Sequence, residues 1–349
     1  MKKRVIALLM SIVMAAGCLA GCGNKESESS DSAVSAGEEA EETPSEATPS
    51  EESNTSAKKL KIGCVTFNSG SDNYQSVWYD EIISYAEEIG VELTILDPAG
   101  DSTKQQNMVQ DLINMNCDSI IIWPADSESG VAEVKAVYDA GIPVMTANTD
   151  VAEEGRQYSS CYVGPSNLLE GEAAGEAMVE LLGGKGKIVE IDYMPGYTAS
   201  TERSQGMYNK IEGTDIELLD TQQGEANREK SQQVMENYLV RFAKGEIDAV
   251  YCFDDTTAIG AANAIEAAGR TEIMVIAAAS GSYSTMDYIK EGRISATVMQ
   301  SPIIETHTIL DTAVQVAQGN VPSEYATYIE TPTVTVENYE EVADTVEPF

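Results

Sequence analysis

Short runs rich in β-branched residues alternate with longer amphipathic runs along most of the chain. Apolar residues three or four positions apart, such as Trp78, Ile82, Tyr85 and Ile89, predict helices between these runs. Repeated strand-helix-strand units predict parallel sheets covered on both faces. The predicted strands are residues 61–66, 91–96, 119–123, 143–147, 187–192, 216–220, 249–253, 273–277 and 294–298.

The alternation is interrupted once, near residues 161–165. An extended run at 158–164 leads directly into Pro165, and the pattern restarts with a predicted helix over 168–182. Four strand-helix units precede this point and about five follow it. The sequence therefore predicts an α/β protein with two doubly wound parallel-sheet lobes.

Polar side chains follow many of the predicted strands, where parallel sheets place their ligands. Amides, carboxylates, hydroxyls and a guanidinium match the vicinal hydroxyls of a sugar, and an aromatic ring covers its C–H face. Each residue also has a local explanation, because Asp and Asn cap helices and Ser makes turns. The candidates are Asn68, Asp72 and Tyr74 after the first strand, Asn148 and Thr149 after the fourth, Arg203 after the fifth, Asp254 after the seventh, Ser280 after the eighth and Gln300 after the ninth.

Arg203 is the most unusual of these candidates. With Ala199, Met207 and Ile211 it falls on one face of a predicted helix, a face that is otherwise apolar and directed inward. A cation near a helix N-terminus on a partly dry face needs an acidic or hydroxyl-rich partner. We expect Asp254 as its protein neighbour and ligand hydroxyls as its main partner.

The N-terminus predicts export and lipid attachment. A basic start, an apolar run too short to span a bilayer and the sequence Leu19-Ala-Gly-Cys22 resemble a bacterial lipoprotein signal. The resemblance implies a signal peptide over residues 1–21, diacylation of Cys22 and a protein anchored outside the cytoplasm at the cell membrane. Residues 22–57 are acidic and almost without large apolar side chains, which predicts a disordered tether.

Charge and cysteine content narrow the classes of partner. Removing the ten acidic and four basic residues of 1–57 from the totals of 58 and 21 leaves 48 and 17 for residues 58–349, a net charge of −31. Such a charge argues against nucleic acid and anionic lipid surfaces. Four cysteines lie in or beside apolar runs without CxxC spacing, so buried thiols are expected, with a Cys64–Cys117 disulfide left open.

Little in the sequence favours an enzyme. His307 is the single histidine and lies in a helical pattern, so neither a nucleophile pair nor a catalytic zinc site is expected. The run from Gly183 to Lys187 precedes a strand and lacks phosphate-loop spacing, which favours a helix-ending turn. Asp254 and Asp255 could form an acid/base pair, but Asp255 is also a natural N-cap. We expect a binding protein without cofactor or metal.

Eight segments in order resemble the ribose- and galactofuranose-type periplasmic sugar-binding proteins of ABC transporters. They are IGCVTFNSGSDNYQSVWYDEI, QDLINMNCDSIIIWPADS, AGIPVMTANTD, SNLLEGEAAGE, GKGKIVEI, TASTERSQGM, CFDDTTAIGAANAI and GRISATVMQSP. The resemblance implies a two-lobed fold of the Venus-flytrap type with three crossings, residues 58–163 and 300–329 forming the N-terminal lobe and 164–299 and 330–349 the C-terminal lobe. It also implies a monomer that hands a sugar or polyol to an ABC transporter permease; a sensory protein presenting a sugar derivative, nucleoside or signalling molecule to a receptor is the alternative.

The resemblance assigns ligand contacts to matching positions. They fall on Asp72 and Tyr74, on Asn148, on the arginine of the RxxG motif, Arg203, on Asp254 and on the hinge glutamine, Gln300. The pentose binders carry Asp-Arg where this chain has Asn148-Thr149, and Phe-Asp where it has residues 278–280. These departures imply a ligand other than ribose itself.

Overall fold

The computed structural model of the protein describes residues 59–195, 197–343 and 348–349. The predicted signal peptide, Cys22 and the acidic tether lie outside the described residues. The strands are β1 (Lys61–Val65), β2 (Glu92–Leu96), β3 (Ser119–Ile122), β4 (Val144–Ala147), β5 (Tyr162–Gly164), β6 (Lys185–Asp192), β7 (Asp215–Gln223), β8 (Ala249–Cys252), β9 (Met274–Ala277), β10 (Ala296–Val298), β11 (Ala326–Tyr328) and β12 (Thr333–Thr335).

Helices separate most of these strands, as the amphipathic pattern predicts. A 3-10 helix (Glu153–Tyr158) precedes β5. The α-helices are α1 (Asn73–Ile89), α2 (Ser102–Asn114), α3 (Ser127–Asp139), α4 (Asn167–Leu182), α5 (Thr198–Ile211), α6 (Arg228–Arg241), α7 (Asp255–Ala267), α8 (Tyr283–Lys290), α9 (Pro302–Ala317) and α10 (Tyr339–Ala343).

The strands form two six-stranded sheets, in the orders β11-β5-β4-β3-β1-β2 and β12-β10-β9-β8-β6-β7. All pairs are parallel except β10 with β12. The chain passes between the sheets after β5, after β10 and again between β11 and β12. We call the first sheet with α1–α3, the 3-10 helix and α9 the N-terminal lobe, and the second sheet with α4–α8 and α10 the C-terminal lobe. The predicted α/β class with two parallel-sheet lobes is confirmed.

All nine predicted strands are present, with ends within three residues of the predicted positions. Every residue of β3, β4 and β8 is buried, as expected for parallel strands covered on both faces. The extended run expected from Tyr158 is shorter, because Tyr158 ends the 3-10 helix and β5 begins only at Tyr162. β11 and β12 were not predicted, since three residues are too few to show an alternating pattern.

Helices α4 and α5 approach each other closely because glycines face the contact. A Cβ on Gly171 would lie 2.7 Å from the Cα and carbonyl carbon of Arg203, and one on Gly206 would lie 2.7 Å from the carbonyl carbon of Gly171. Real side chains do not come this close to backbone, so only glycine fits at these positions. The small residues therefore bring the first turn of α4 against Arg203 on α5.

Cys64, Cys117, Cys161 and Cys252 are buried free thiols, so the conceivable Cys64–Cys117 disulfide is absent from the described structure. Burial raises the pKa of the Cys161 thiol to about 12, which keeps it protonated. The four cysteines act as small core residues.

Glu133 on α3 predicts a pH-dependent stability. The residue is 2 % exposed, and neither carboxyl oxygen has a hydrogen-bond partner among the described residues. Burial, with a smaller contribution from Asp126, raises its pKa to about 8. The folded state holds this proton above the pKa of the unfolded chain, so stability falls as pH rises, by about 2 kcal/mol between pH 6 and pH 8.

Urea unfolding of the wild-type protein and the Glu133→Gln variant measures this effect. The variant lacks the titrating group. The difference between the two unfolding free energies should therefore change by about 2 kcal/mol between pH 6 and pH 8. A pH-independent difference would show that Glu133 does not titrate there.

Candidate functional site

The carboxyl ends of the strands of both lobes face a shared cleft. Its lining residues border about 450 Å³ of space not filled by atoms. The lobes touch beside this site, where the Ser127 amide of one donates to the Thr198 hydroxyl of the other. The lining residues are Asp72, Tyr74, Gln75, Trp123, Asn148, Tyr193, Tyr197, Ala199, Arg203, Ala226, Phe253, Asp254, Ser280 and Gln300.

The structure brings together seven of the nine candidate residues in this cavity, namely Asp72, Tyr74, Asn148, Arg203, Asp254, Ser280 and Gln300. Asn68 lies in the loop after β1, beside Gly100, and does not line the cavity. Thr149 is fully buried and does not line the cavity either.

Arg203 is buried, and its main partner differs from the expected one. Its Nε donates to Glu170 Oε2 at 3.0 Å, and its Nη2 lies 2.9 Å from the same oxygen as an ion pair. Nη2 donates to Gln300 Oε1 at 3.2 Å, and Nη1 donates to the Phe253 carbonyl at 3.4 Å. The expectation of Asp254 as its neighbour was wrong, because the close α4–α5 packing brings Glu170 to the guanidinium. Asp254 acts on Arg203 only as a more distant charge.

Glu305, in the first turn of α9, organises the side of the cavity near the hinge. It is fully buried and accepts hydrogen bonds from the Tyr74 hydroxyl, from Asn148 Nδ2 at 3.0 and 3.2 Å and from Gln300 Nε2 at 3.3 Å. Gln300 Nε2 also donates to the Tyr74 hydroxyl at 2.6 Å. Burial nevertheless raises the pKa of Glu305 to about 7. These bonds fix the orientations of both amides and of Tyr74.

Asp72 and Asp254 both cap helices whose N-termini face the cleft. Asp72 accepts from the Gln75 amide at 2.8 Å, and Asp254 accepts from the Thr257 amide at 2.8 Å. Asp254, not Asp255, is the N-cap of α7, which corrects the expectation. Asp255 instead accepts from the backbone amide of Ser282, the N-cap of α8, and from the Thr285 hydroxyl, so it supports the start of α8.

The acidic side of the cavity is electrostatically crowded. Burial first, and then the neighbouring Asp255, raise the pKa of Asp254 to about 7. Burial also raises the pKa of Asp72, with Asp255 acting in the same direction. Both carboxyls therefore hold protons more readily than exposed aspartates do.

Aromatic rings form a wall that the sequence analysis did not assign to the site. Tyr193 stacks on Phe253 at 5.1 Å between ring centroids, and Tyr197 lies edge-on to Tyr193 at 5.0 Å. Phe67 of the N-terminal lobe stacks on Tyr197 of the C-terminal lobe at 5.5 Å. The sequence did contain a signal for this wall: aromatic residues stand at the ends of strands and in the loop before α5.

Trp123 adds a free donor to this wall. It is 2 % exposed and lines the cavity, and its indole N–H has no partner among the described residues. A buried donor without a partner is costly in a folded protein, and a ligand oxygen would satisfy it.

Three cavity residues have left-handed backbone conformations. The φ angles are 59° at Asn148, 45° at Ala226 and 93° at Ser280. Non-glycine residues rarely adopt positive φ, and such strain concentrates at ligand-binding positions. These backbone conformations therefore support a ligand-binding role for this cavity.

Alternative centres considered from the sequence have local structural roles. His307 Nε2 forms a hydrogen bond with the Glu81 carboxylate at 2.8 Å, and its ring stacks on Tyr85 at 3.8 Å between ring centroids. Neither partner lines the cavity. Gly183 ends α4 with a φ of 64°, as predicted for a helix-ending turn. No group of three or more His, Cys, Asp or Glu within the described residues is arranged to hold a metal ion.

Comparison with known proteins identifies the fold and its relatives. The periplasmic binding protein domain family matches residues 62–320. The ribose import binding protein of Bacillus subtilis is 33% identical over 217 residues, covering 62% of this chain and 68% of the relative.

Two solved structures extend the similarity over most of both chains. A solute-binding protein of an ABC transporter from Bacillus halodurans, with bound myo-inositol, is 30% identical with a TM-score of 0.74, covering 82% of this chain and 98% of its own. Another from Mycobacterium smegmatis, with bound glycerol, is 28% identical with a TM-score of 0.73, covering 81% and 96%. These relatives are binding proteins. Within the described residues no helix is long and apolar enough to cross a membrane.

Proposed function

We propose that this chain, which belongs to the periplasmic binding protein domain family, captures a sugar or sugar-like polyol between its lobes and delivers it to an ABC transporter permease. The observation that carries the proposal is the cavity built from both lobes, with carboxylates, amides, a guanidinium and an aromatic wall around a small volume. Such a site binds a small, densely polar ligand. The ligands named for its relatives, ribose, myo-inositol and glycerol, are all polyhydroxylated.

Ligand binding and closure are coupled in this proposal. Ligand contacts come from Asp72, Tyr74 and Asn148 on one lobe and from Arg203, Asp254 and Ser280 on the other, with Gln300 at a crossing. A ligand that touches both lobes binds the closed form more tightly and shifts the population toward it. The permease recognises that closed form, and binding needs no chemical turnover.

The lobes are assigned as residues 58–163 with 300–329 and residues 164–299 with 330–349. Membership of the strands in the two sheets supports these boundaries, since β11 returns to the first sheet and β12 to the second. The protein acts as a monomer, because both halves of the site come from one chain.

A ligand screen tests the proposed function. Native mass spectrometry of the purified protein should detect a co-purified small polyol. A thermal-shift panel of pentoses, hexoses, furanoses and cyclic polyols should give a rise in melting temperature that grows with ligand concentration over Kd. Stabilisation by amino acids or nucleosides alone would overturn the sugar proposal.

We further propose that Cys22 is lipidated and holds the protein at the outer face of the cell membrane. The complete Leu19-Ala-Gly-Cys22 match supports this attachment. The Cys22→Ser variant should leave the membrane fraction and lack lipid by mass spectrometry, because the serine hydroxyl does not replace the thiol that carries the diacyl group. A Cys22→Ser protein that still carries lipid would overturn the anchor, and Cys18→Ser is the matched control that should remain anchored.

A further inference from the structure

The cavity carries more negative than positive charge, and this excess points to the chemistry of its ligand. This inference rests on the proposed function, since it concerns the same cleft. Asp72 and Asp254 line the cavity, and Glu170 and Glu305 are fully buried behind it. Among the described residues, the lining contains one cation, Arg203.

The positive charge of Arg203 is already paired within the protein. Two of its nitrogens contact Glu170, a third interaction reaches Gln300 and a fourth reaches the Phe253 carbonyl. A guanidinium has five donor hydrogens, so these contacts leave a single Nη1 hydrogen for a ligand. Paired in this way, Arg203 does not balance Asp72 and Asp254 on the cavity surface.

The neutral polar groups also present acceptors to the ligand. Asn148 uses its Nδ2 to donate to Glu305, which leaves its Oδ1 as the acceptor. Both ends of the Gln300 amide are engaged, by Arg203 and by Tyr74 with Glu305. The free donors are therefore few, namely the remaining Arg203 hydrogen, the Trp123 indole N–H and hydroxyls.

The aromatic wall accommodates a cation as well. Tyr193, Phe253 and Asp254 all line the cavity, and the Arg203 guanidinium lies 4.7 Å from the centre of the Phe253 ring. Aromatic faces attract ammonium groups. Burial raises the pKa of Asp254 to about 7, and an ammonium group beside this carboxyl favours its ionised form.

We propose that the ligand of this cleft is a small polyol carrying a protonated amine, such as an amino sugar or an aminocyclitol. The ammonium group lies between Asp72 and Asp254, where it neutralises the excess negative charge. The ligand hydroxyls donate to Asn148 Oδ1 and accept from the Trp123 indole N–H and from Arg203. A neutral polyol satisfies the hydrogen bonds and leaves the charge unbalanced.

Titration calorimetry with matched ligand pairs tests this inference. The pairs are D-glucose with D-glucosamine and myo-inositol with a monoamino-inositol, and N-acetyl-D-glucosamine supplies a version whose nitrogen is uncharged. We expect the aminated member of at least one pair to bind about tenfold or more tightly than its neutral parent, the ratio expected of one added charge-assisted contact. N-acetylation should abolish the gain.

The outcomes separate this inference from the proposed function. If neutral members bind as tightly as aminated ones or more tightly, the proposal that the ligand carries an amine is overturned, and the polyol-binding function stands. If no member of any pair binds, the inference is overturned, and the proposed function falls with it only when the broad thermal-shift panel of sugars and polyols also gives no stabilisation.

The Asp254→Asn variant tests the position of the ammonium. Asparagine is as good an N-cap as aspartate, so α7 keeps its cap while the charge is lost. The ratio of the two affinities, aminated ligand over neutral parent, should fall about tenfold, whatever the change in affinity for the neutral parent itself. Asp101→Asn is the matched control, since Asp101 caps α2 outside the cavity lining. An unchanged preference in folded Asp254→Asn protein would overturn the placement.

Discussion

Replacing Arg203 with alanine is expected to destabilise the protein by about 3 kcal/mol and to weaken ligand binding by about 2 kcal/mol or more. Glu170 is fully buried, and its pKa of about 7 already reflects the cost of burial, which Arg203 offsets. Without the guanidinium this carboxyl loses its partner, and Gln300 loses the donor to its Oε1. Removing one member of a buried ion pair costs more than the pair itself contributes.

A second ion pair between the same two helices provides the control. Glu176 on α4 and Lys210 on α5 are 3.0 Å apart at the surface, with 61% and 34% of their side chains exposed. The Lys210→Ala variant removes a cation from α5 as Arg203→Ala does, but water screens the remaining carboxylate. Its unfolding free energy and ligand affinity should stay close to the wild-type values.

Urea unfolding and calorimetry with the ligand found in the screen measure the two effects. Glu170→Gln separates them, because it removes the buried charge while Arg203 stays in place. Equal unfolding free energies for Arg203→Ala and Lys210→Ala would contradict the stabilising role of the buried pair. Unchanged ligand affinity in Arg203→Ala would contradict its place in the site.

The Gly171→Ala variant is expected to lose about 3 kcal/mol of stability, at the upper end of the usual cost of overpacking. The added methyl group would meet the backbone of Arg203, whose carbonyl also accepts from the buried Tyr251 hydroxyl at 3.0 Å. Backbone cannot move aside as the end of a flexible side chain can. The gain of about 1 kcal/mol in helix propensity from alanine is too small to compensate.

Thermal and urea unfolding of Gly171→Ala measure this loss. Gly70→Ala is the matched control, because its added Cβ meets no atom within 4 Å and its φ is not positive. Ligand affinity should also fall in Gly171→Ala, since separation of α4 and α5 moves Glu170 away from Arg203. Wild-type stability in Gly171→Ala would show that the two helices are not held at this distance.

The fold followed from the sequence because its signal is local. Buried parallel strands such as β3 and β8 are continuous apolar runs, and the pattern between them repeats at the helical period. The rule that ligands bind at the carboxyl ends of strands then selected Asn148, Arg203 and Asp254. These positions depend on order along the chain, which the sequence contains.

The supporting carboxylates could not be predicted in the same way. Glu170 and Glu305 each lie in the first turn of a helix, where an acidic residue ordinarily faces water and complements the helix dipole. Their burial depends on how close α4 comes to α5 and where α9 returns to the first lobe. The burial of these two carboxylates is set by tertiary packing, which a local sequence pattern does not show.

The aromatic wall was missed for a different reason. Trp123 and Phe253 end buried strands, so the apolar pattern assigns them to the core. A side chain that ends a strand can belong to the core and to the cavity at once. The distinction depends on the opposite lobe, which supplies the other side of the cleft.

Contacts that join the lobes without any ligand set a kinetic limit. Phe67 stacks on Tyr197 across the cleft, and the Ser127 amide donates to the Thr198 hydroxyl at 3.3 Å. A ligand enters only while these contacts are broken. The observed association rate is therefore the intrinsic rate multiplied by the fraction of molecules that stand open. Any contact that stabilises the empty closed form lowers the open fraction, and with it the association rate, by the same factor. Contacts between the lobes therefore strengthen closure at the expense of the speed of ligand capture.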